Sequence, residues 1–224
     1  MTRAYLDHNA TAPVRPEVID IVADTMRHDG NSLSVHEEGR RAHKILEDAR
    51  EQARALVNAP VNGVIFTSGG TESIHYALHG VMKPHKIKRF FISAIEHAAV
   101  RANAETTGAE IEIIPALRSG LVNLQWLKDR LKEYDVERDG GFMVCLMFAN
   151  NETGVLQPVA EAAEIAHDAG GLLFCDAAQA VGKVPVNFVM SGADMMSFTG
   201  HKFGGPVGVG ALVAGPNLPL DPVM

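Results

Sequence analysis

Two cysteines in 224 residues cannot staple a fold, and both lie inside apolar runs: Cys145 within Phe142-Met143-Val144-Cys145-Leu146-Met147 and Cys175 within Leu172-Leu173-Phe174-Cys175. Buried free thiols in a reducing compartment fit that placement better than a disulfide. Long hydrophobic runs are also missing. The longest, Phe142 to Ala149, is far too short to cross a bilayer. The opening residues lack an apolar signal-peptide core, so the expectation is a soluble, cytoplasmic protein. Positive charge is scarce, with 20 Lys and Arg against 27 Asp and Glu and no basic tract longer than Lys86 to Arg89. That balance argues against nucleic acid as a partner. No internal repeat or low-complexity segment interrupts the chain.

What is present is a regular alternation. Short, continuous apolar runs of the kind buried on both faces fall at 63–67, 89–93, 110–114, 142–148, 171–176, 193–198 and 207–214. Helical patterns fall at 16–28, 39–58, 71–80, 97–107, 124–134 and 158–169, with Pro16 and Pro158 suited to first helical turns. In 39–58 the residues Ala42, Ile45, Leu46, Ala49, Ala53, Leu56 and Val57 follow helical spacing. The expected architecture is α/β: a three-layer, mainly parallel seven-stranded sheet flanked by helices, with ligands at the carboxyl ends of its strands. An N-terminal segment, 1–15, precedes the main domain, 16–214. The tail 215–224, with Pro216, Pro219 and Pro222, reads as the start of a linker.

Chemistry concentrates at the predicted strand ends. Lys202 sits in Ser197-Phe198-Thr199-Gly200-His201-Lys202-Phe203-Gly204-Gly205, an amine on a glycine-rich turn, as a Schiff base to an aldehyde cofactor requires. Asp176 ends another strand in Phe174-Cys175-Asp176-Ala177-Ala178-Gln179, where a carboxylate can keep a pyridine nitrogen protonated. Strand alternation sends Cys175 to the opposite face from Asp176, which makes it a poor nucleophile. Thr67-Ser68-Gly69-Gly70-Thr71-Glu72-Ser73 opens a helix, and its small residues and unpaired amides suit a phosphate, although Ser68 or Thr71 could simply cap the helix. It is not a P-loop, having no lysine after the second glycine. His97 could stack on an aromatic ring and move protons, or cap the helix that follows. Asn151, in Asn150-Asn151-Glu152-Thr153-Gly154, could donate to a phenolate oxygen or form a turn. His75 and His79 share a helical face, but no third ligand is near in sequence and no metal is expected. Met143, Met147, Met190, Met195 and Met196 read as core filling.

These segments, together with Tyr5-Leu6-Asp7-His8-Asn9-Ala10-Thr11-Ala12-Pro13, Asn31-Ser32-Leu33-Ser34-Val35-His36, Glu96-His97 and Asp176 through Lys183, resemble the class V, fold-type I pyridoxal-phosphate enzymes. Within that group they are similar to cysteine desulfurases of the nitrogen-fixation and iron–sulfur type. The resemblance runs from about Tyr5 to Ala214. It implies pyridoxal 5'-phosphate as cofactor, Lys202 as the Schiff-base lysine and Asp176 as partner of the pyridinium nitrogen. It implies His97 over the ring, Asn151 and Gln179 at the phenolic oxygen, and Gly70, Thr71, Thr199 and His201 at the phosphate. Asn151 would also meet the substrate. The implied reaction converts L-cysteine to L-alanine and passes sulfur to an acceptor or scaffold protein, in a homodimer.

Members of that group that act alone are nearly twice as long, and a C-terminal small domain supplies a mobile catalytic cysteine and an arginine for the substrate carboxylate. The catalytic cysteine is therefore expected outside this chain. Within the same class, a selenocysteine lyase or kynureninase-like enzyme would share the roles of Lys202 and Asp176. A non-catalytic half-protein that docks to sulfur-transfer partners would share the motifs without turnover.

Overall fold

The computed structural model describes residues 4–223. Seven strands, β1 (Val64–Thr67), β2 (Ile87–Ser93), β3 (Glu110–Ile114), β4 (Gly141–Cys145), β5 (Leu172–Asp176), β6 (Met195–Thr199) and β7 (Gly210–Ala214), form one sheet in the order β1-β7-β6-β5-β4-β2-β3. Strands β3, β2, β4, β5 and β6 pair in parallel, and β7 runs antiparallel to both β6 and β1. The α/β architecture is thus the expected one, with β7 as the single reversed strand. The helices are α1 (Pro16–Thr25), α2 (Glu37–Leu56), α3 (Gly70–Gly80), α4 (Ala98–Thr107), α5 (Leu124–Leu131), α6 (Val136–Asp139), α7 (Val159–Asp168) and α8 (Phe188–Ser191).

Continuous apolar strands make sense because each face of the sheet has its own core. Phe91, Val144, Leu173, Cys175, Met196 and Val213 pack with Leu127 of α5, Ala162 and Ala166 of α7 and Phe188 of α8. Their sequence neighbours Phe90, Ile92, Met143, Cys145, Phe174, Met195 and Leu212 pack with Ile74, Ala77 and Leu78 of α3 and Val100 and Ala104 of α4. Successive side chains therefore serve opposite layers, as the twofold strand repeat requires.

Several boundaries differ from the sequence patterns for local reasons. The 142–148 run leaves the ladder after Cys145, although Leu146 N–H and Phe148 N–H still donate to Phe174 O and Asp176 O at 3.0 and 2.8 Å. The run at 207 becomes strand only at Gly210, because Gly208 turns with φ of 90°. The 124–134 pattern stops at Leu131; Asp135 then caps α6, and Tyr134 packs its ring against Phe142 with centroids 4.8 Å apart. Pro158 caps α7 rather than entering its first turn. The stripe of 39–58 is only partly covered: α2 buries just Gly39 among its residues, and Leu56 stays 47% exposed. At the tail, Leu218 and Leu220 pack against the α3 core and Asp221 N–H donates to Gly80 O at 2.8 Å.

Candidate active site

Every strand-end residue singled out from the sequence lines one cavity of about 210 Å³: Gly70, Thr71, His97, Asn151, Asp176, Gln179, Thr199, His201 and Lys202, joined by Ile74, Met147, Ala149 and Ala178. The cavity lies at the carboxyl ends of β2, β4, β5 and β6. β2 is followed by β3 on one side and β4 lies on the other, so the strand order reverses there, where α/β sheets hold their ligands.

Asp176 anchors the cavity floor, only 6% exposed at the end of β5. Its Oδ1 accepts from Ala178 N–H at 3.0 Å and from Ser197 Oγ at 3.2 Å. Oδ2 makes no hydrogen bond among the described residues. Burial pushes its pKa up, while those two donors and the neighbouring His97 and Lys202 pull it back. A second carboxyl, Glu96, is buried close by. Its Oε1 accepts from Met147 N–H at 2.5 Å, and its Oε2 is buried with no partner among the described residues. Burial first, then the charge of Asp176, lift the Glu96 pKa to about 8. Glu96 therefore keeps its proton at neutral pH, while Asp176 has two hydrogen-bond donors and the Lys202 ammonium to favour its charged form. Sequence reading placed Glu96 in a motif but assigned it no role, since nothing local reveals that its carboxyl turns inward.

The Lys202 ammonium donates to the carbonyls of Asn9 and Ala10 at 2.7 and 2.9 Å. Burial lowers its pKa, partly offset by Asp176 and Asp7, which raises the share of free amine. His201 is drawn below its usual range by burial and by Lys202, and its Nδ1 lies 3.3 Å from Thr11 Oγ1. It is a neutral ring here rather than a cation. Thr199 donates its hydroxyl to Val209 O at 3.2 Å.

In α3 the first helical bond runs from Ser73 N–H to Gly69 O, so the amides of Gly70, Thr71 and Glu72 precede the intrahelical ladder and point out of the helix start. Glu72 reaches back to Ser68 N–H, which fixes the turn, and Thr67 Oγ1 pairs with Ser73 Oγ at 2.8 Å. The alternative reading, a side-chain cap by Ser68 or Thr71, is not what holds this turn: Gly69 is the N-cap and no side chain caps it. Gly210 permits the loop to lie close to β7, since a Cβ there would meet Gly69 Cα at 2.6 Å.

His97 does two things at once. It caps α4 through Nδ1, which accepts from Ala99 N–H at 3.2 Å, and its ring lines the cavity. An accepting Nδ1 places the proton of the neutral ring on Nε2. The neighbouring asparagines divide the labour: Asn150 makes the turn, its Oδ1 accepting from Glu152 N–H and Thr153 N–H, while Asn151 lines the cavity and donates Nδ2 to Glu152 Oε1 at 2.6 Å. One of the two Asn151 amide hydrogens is thus engaged with Glu152.

Neither thiol reaches this place. Cys145 belongs to the α3–α4 core and Cys175 to the opposite core, both fully buried, with burial raising both pKa values well above the ordinary range. His75 and His79 bridge α3 to α4 through Asn103 Oδ1 and Thr106 Oγ1, each at 3.0 Å.

The site also fits pyridoxal phosphate by its own chemistry. An enclosed carboxylate with one unpaired oxygen suits a protonated ring nitrogen, a helix start of small residues suits a dianion, and a pKa-lowered amine faces the same space.

Comparison with known proteins agrees. The family model described as aminotransferase class-V matches residues 4–219. A Mycobacterium tuberculosis protein named IscS-like cysteine desulfurase is 38% identical across 99% of this chain and 58% of its own length. A Methanosarcina thermophila protein named cysteine desulfurase IscS is 36% identical across 98% of this chain and 54% of its own. The chain thus spans little more than half the length of these curated relatives. Among solved structures, one titled NifS-like protein superposes with a TM-score of 0.91 at 32% identity, covering 100% of this chain and 62% of the other. A NifS-like protein from Rickettsia africae gives 0.88 at 31% identity, covering 98% and 60%. No helix among the described residues is long and apolar enough to cross a membrane.

Proposed function

The chain belongs to the aminotransferase class-V family, the pyridoxal-phosphate-dependent group its motifs resemble, and from that premise we propose that it is the cofactor domain of a cysteine desulfurase. The observation that carries the reading is one cavity shared by Lys202, Asp176 and the start of α3.

In this reading the amides of Gly70 and Thr71, with the α3 dipole and the side chains of Thr199 and His201, hold the cofactor phosphate. Asp176 Oδ2 holds the proton on the ring nitrogen, and the proton kept by Glu96 limits the floor to a single negative charge, matched to that one cation. His97 covers the ring and presents Nε2–H, and Gln179 offers its amide Nε2 at the ring's oxygen. Asn151 contributes to the same rim and to the substrate. Bound pyridoxal phosphate supplies an electron sink for charge released at the substrate's α-carbon. Lys202 would hold the cofactor and, with its lowered pKa, would serve as the base that takes and returns the α-proton of L-cysteine. The sulfur must pass to a thiol other than Cys145 or Cys175, because sealed thiols cannot reach a substrate in the cavity.

The same reading divides the chain into the segment 1–15, the cofactor domain 16–214 and the linker start 215–224. It makes the assembled enzyme a cytoplasmic homodimer that delivers sulfur to an acceptor or scaffold protein. One apolar side of α1, with Ile19 54% and Val22 42% exposed and continued by the C-cap Met26 at 81%, supports burial against a further body. Light scattering of the full protein tests the dimer.

The decisive experiment loads the protein with pyridoxal phosphate, reduces with borohydride and maps the label. The pyridoxyl group is expected on Lys202. In a separate, unreduced sample, L-cysteine with excess thiol should yield sulfide and alanine once the C-terminal small domain is supplied in cis or by a second chain, and not at an enzymatic rate from these 224 residues alone. A label on Lys183 or elsewhere overturns the assignment of Lys202, and selenide release from selenocysteine without sulfide release from cysteine moves the chain to the lyase branch.

A further inference from the structure

Lys183 lies one turn beyond Gln179, outside the residues that line the 210 Å³ cavity, and nothing in its own sequence context distinguishes it from a surface lysine. Its ammonium donates to Gln179 Oε1 at 2.5 Å and to Asn9 Oδ1 at 3.1 Å. Those two contacts decide more than their own energy, because an ammonium only donates. With Oε1 of Gln179 turned to Lys183, the amide must present Nε2 the other way, and it donates to Asn9 O at 2.8 Å. With Oδ1 of Asn9 turned to Lys183, Nδ2 must face away as well, and it donates to Asn151 O at 2.8 Å. Asn9 O also receives Lys202 Nζ at 2.7 Å.

We propose that Lys183 is a positioning residue: by holding the oxygens of Gln179 and Asn9, it fixes the direction of both amides and docks residues 7–11 across the rim where Lys202 and Asn151 meet. This rests on the cofactor reading above, in which Gln179 must be a donor at the ring's oxygen. An amide free to flip could also present its oxygen there, and an oxygen facing an oxygen repels. Burial and the nearby Lys202 draw the Lys183 pKa down, the cost of holding two cations near one asparagine.

The test compares the parent chain with Lys183→Met, which keeps the stem but has no donor, and Lys183→Arg, which keeps donors. The first readout is backbone hydrogen exchange in the cofactor-free protein. Across residues 8–12 Lys183→Met should exchange about tenfold faster, the loss of one or two hydrogen bonds to a charged group, while α4 is unchanged. Lys183→Arg should return to within about twofold of the parent. The second readout is the pH titration of absorbance with pyridoxal phosphate bound, whose midpoint should shift in Lys183→Met and be restored in Lys183→Arg. Unchanged exchange at 8–12 in Lys183→Met overturns the proposal. So does a uniform increase that includes α4 and is not rescued by arginine, which marks plain loss of stability. If exchange responds as expected but the parent takes up no pyridoxal phosphate, the hold of Lys183 on Asn9 and Gln179 stands and the cofactor reading falls.

Discussion

The two ends of the same parallel strands each carry a partly or fully buried aspartate with a histidine nearby, and only one of them builds a site. At the amino end, Asp194 Oδ2 accepts from His167 Nε2 at 2.9 Å and from Leu173 N–H at 2.7 Å, tying β6 to β5 and α7. At the carboxyl end, Asp176 spends Oδ1 on Ala178 and Ser197 and leaves Oδ2 open to a cavity it shares with His97. Residue type is therefore not what separates a staple from a catalytic acid. What separates them is whether the fold consumes the acceptor capacity or leaves one oxygen facing a space bounded by a helix start and an amine.

The sharpest way to break that comparison is at its functional end. Lys202→Ala should abolish covalent attachment of pyridoxal phosphate and leave the far-UV spectrum of the fold intact, checked by borohydride labelling and circular dichroism. Asp176→Asn should come next. An amide cannot hold the ring proton as a carboxylate does, so turnover should fall by on the order of a hundredfold or more while cofactor affinity falls about tenfold. Steady-state rates and equilibrium dialysis on the same preparations separate the two, and an unaltered rate would show that another acid does this work.

Glu96 tests the charge count of the floor. A folded pKa of about 8 against an ordinary value of 4.5 means that the native state retains a proton the unfolded chain has lost. Stability from this group is greatest below about pH 4.5 and declines as pH rises towards about 8. Glu96→Gln removes that decline. The variant should gain on the parent by up to a few kcal/mol between about pH 5 and 8, and level off above. Urea unfolding of the cofactor-free protein across that range checks it; a difference independent of pH would mean that Glu96 is already ionised.

At the structural end, Asp194→Asn should cost about 1–2 kcal/mol through a weakened bond to His167 and leave pyridoxal phosphate binding unchanged. Smallest of all, Cys145→Ala or Cys175→Ala should cost about 1 kcal/mol of packing and leave sulfide release within about twofold. A tenfold loss in either would refute the view that both thiols only fill the core.

The strands, the two covered faces and the placing of Lys202, Asp176, His97, Asn151 and the 67–73 loop at strand ends were legible from local pattern, whereas Gln179, Thr199 and His201 entered through the family resemblance. A parallel strand covered on both faces must be continuously apolar, and its carboxyl end must pass into a loop, so a lysine, an acid, a histidine and a glycine turn at successive strand ends fall on one edge whatever the details of packing. Sequence alone therefore determined the α/β class and which edge of the sheet carries the candidate residues, and its motifs carried the resemblance to the family. Tertiary structure alone decided how they are held. Asn9 and Lys183 lie 174 positions apart, and Glu96 reaches Met147 across 51. No periodicity encodes such meetings, because they depend on where the chain's opening segment crosses the sheet edge and on which side chains turn inward there. The same reason explains why α1 and α2 carry apolar stripes that the rest of the described chain does not cover: amphipathic spacing states that a face seeks a partner, and only the assembled fold states whether this chain provides one.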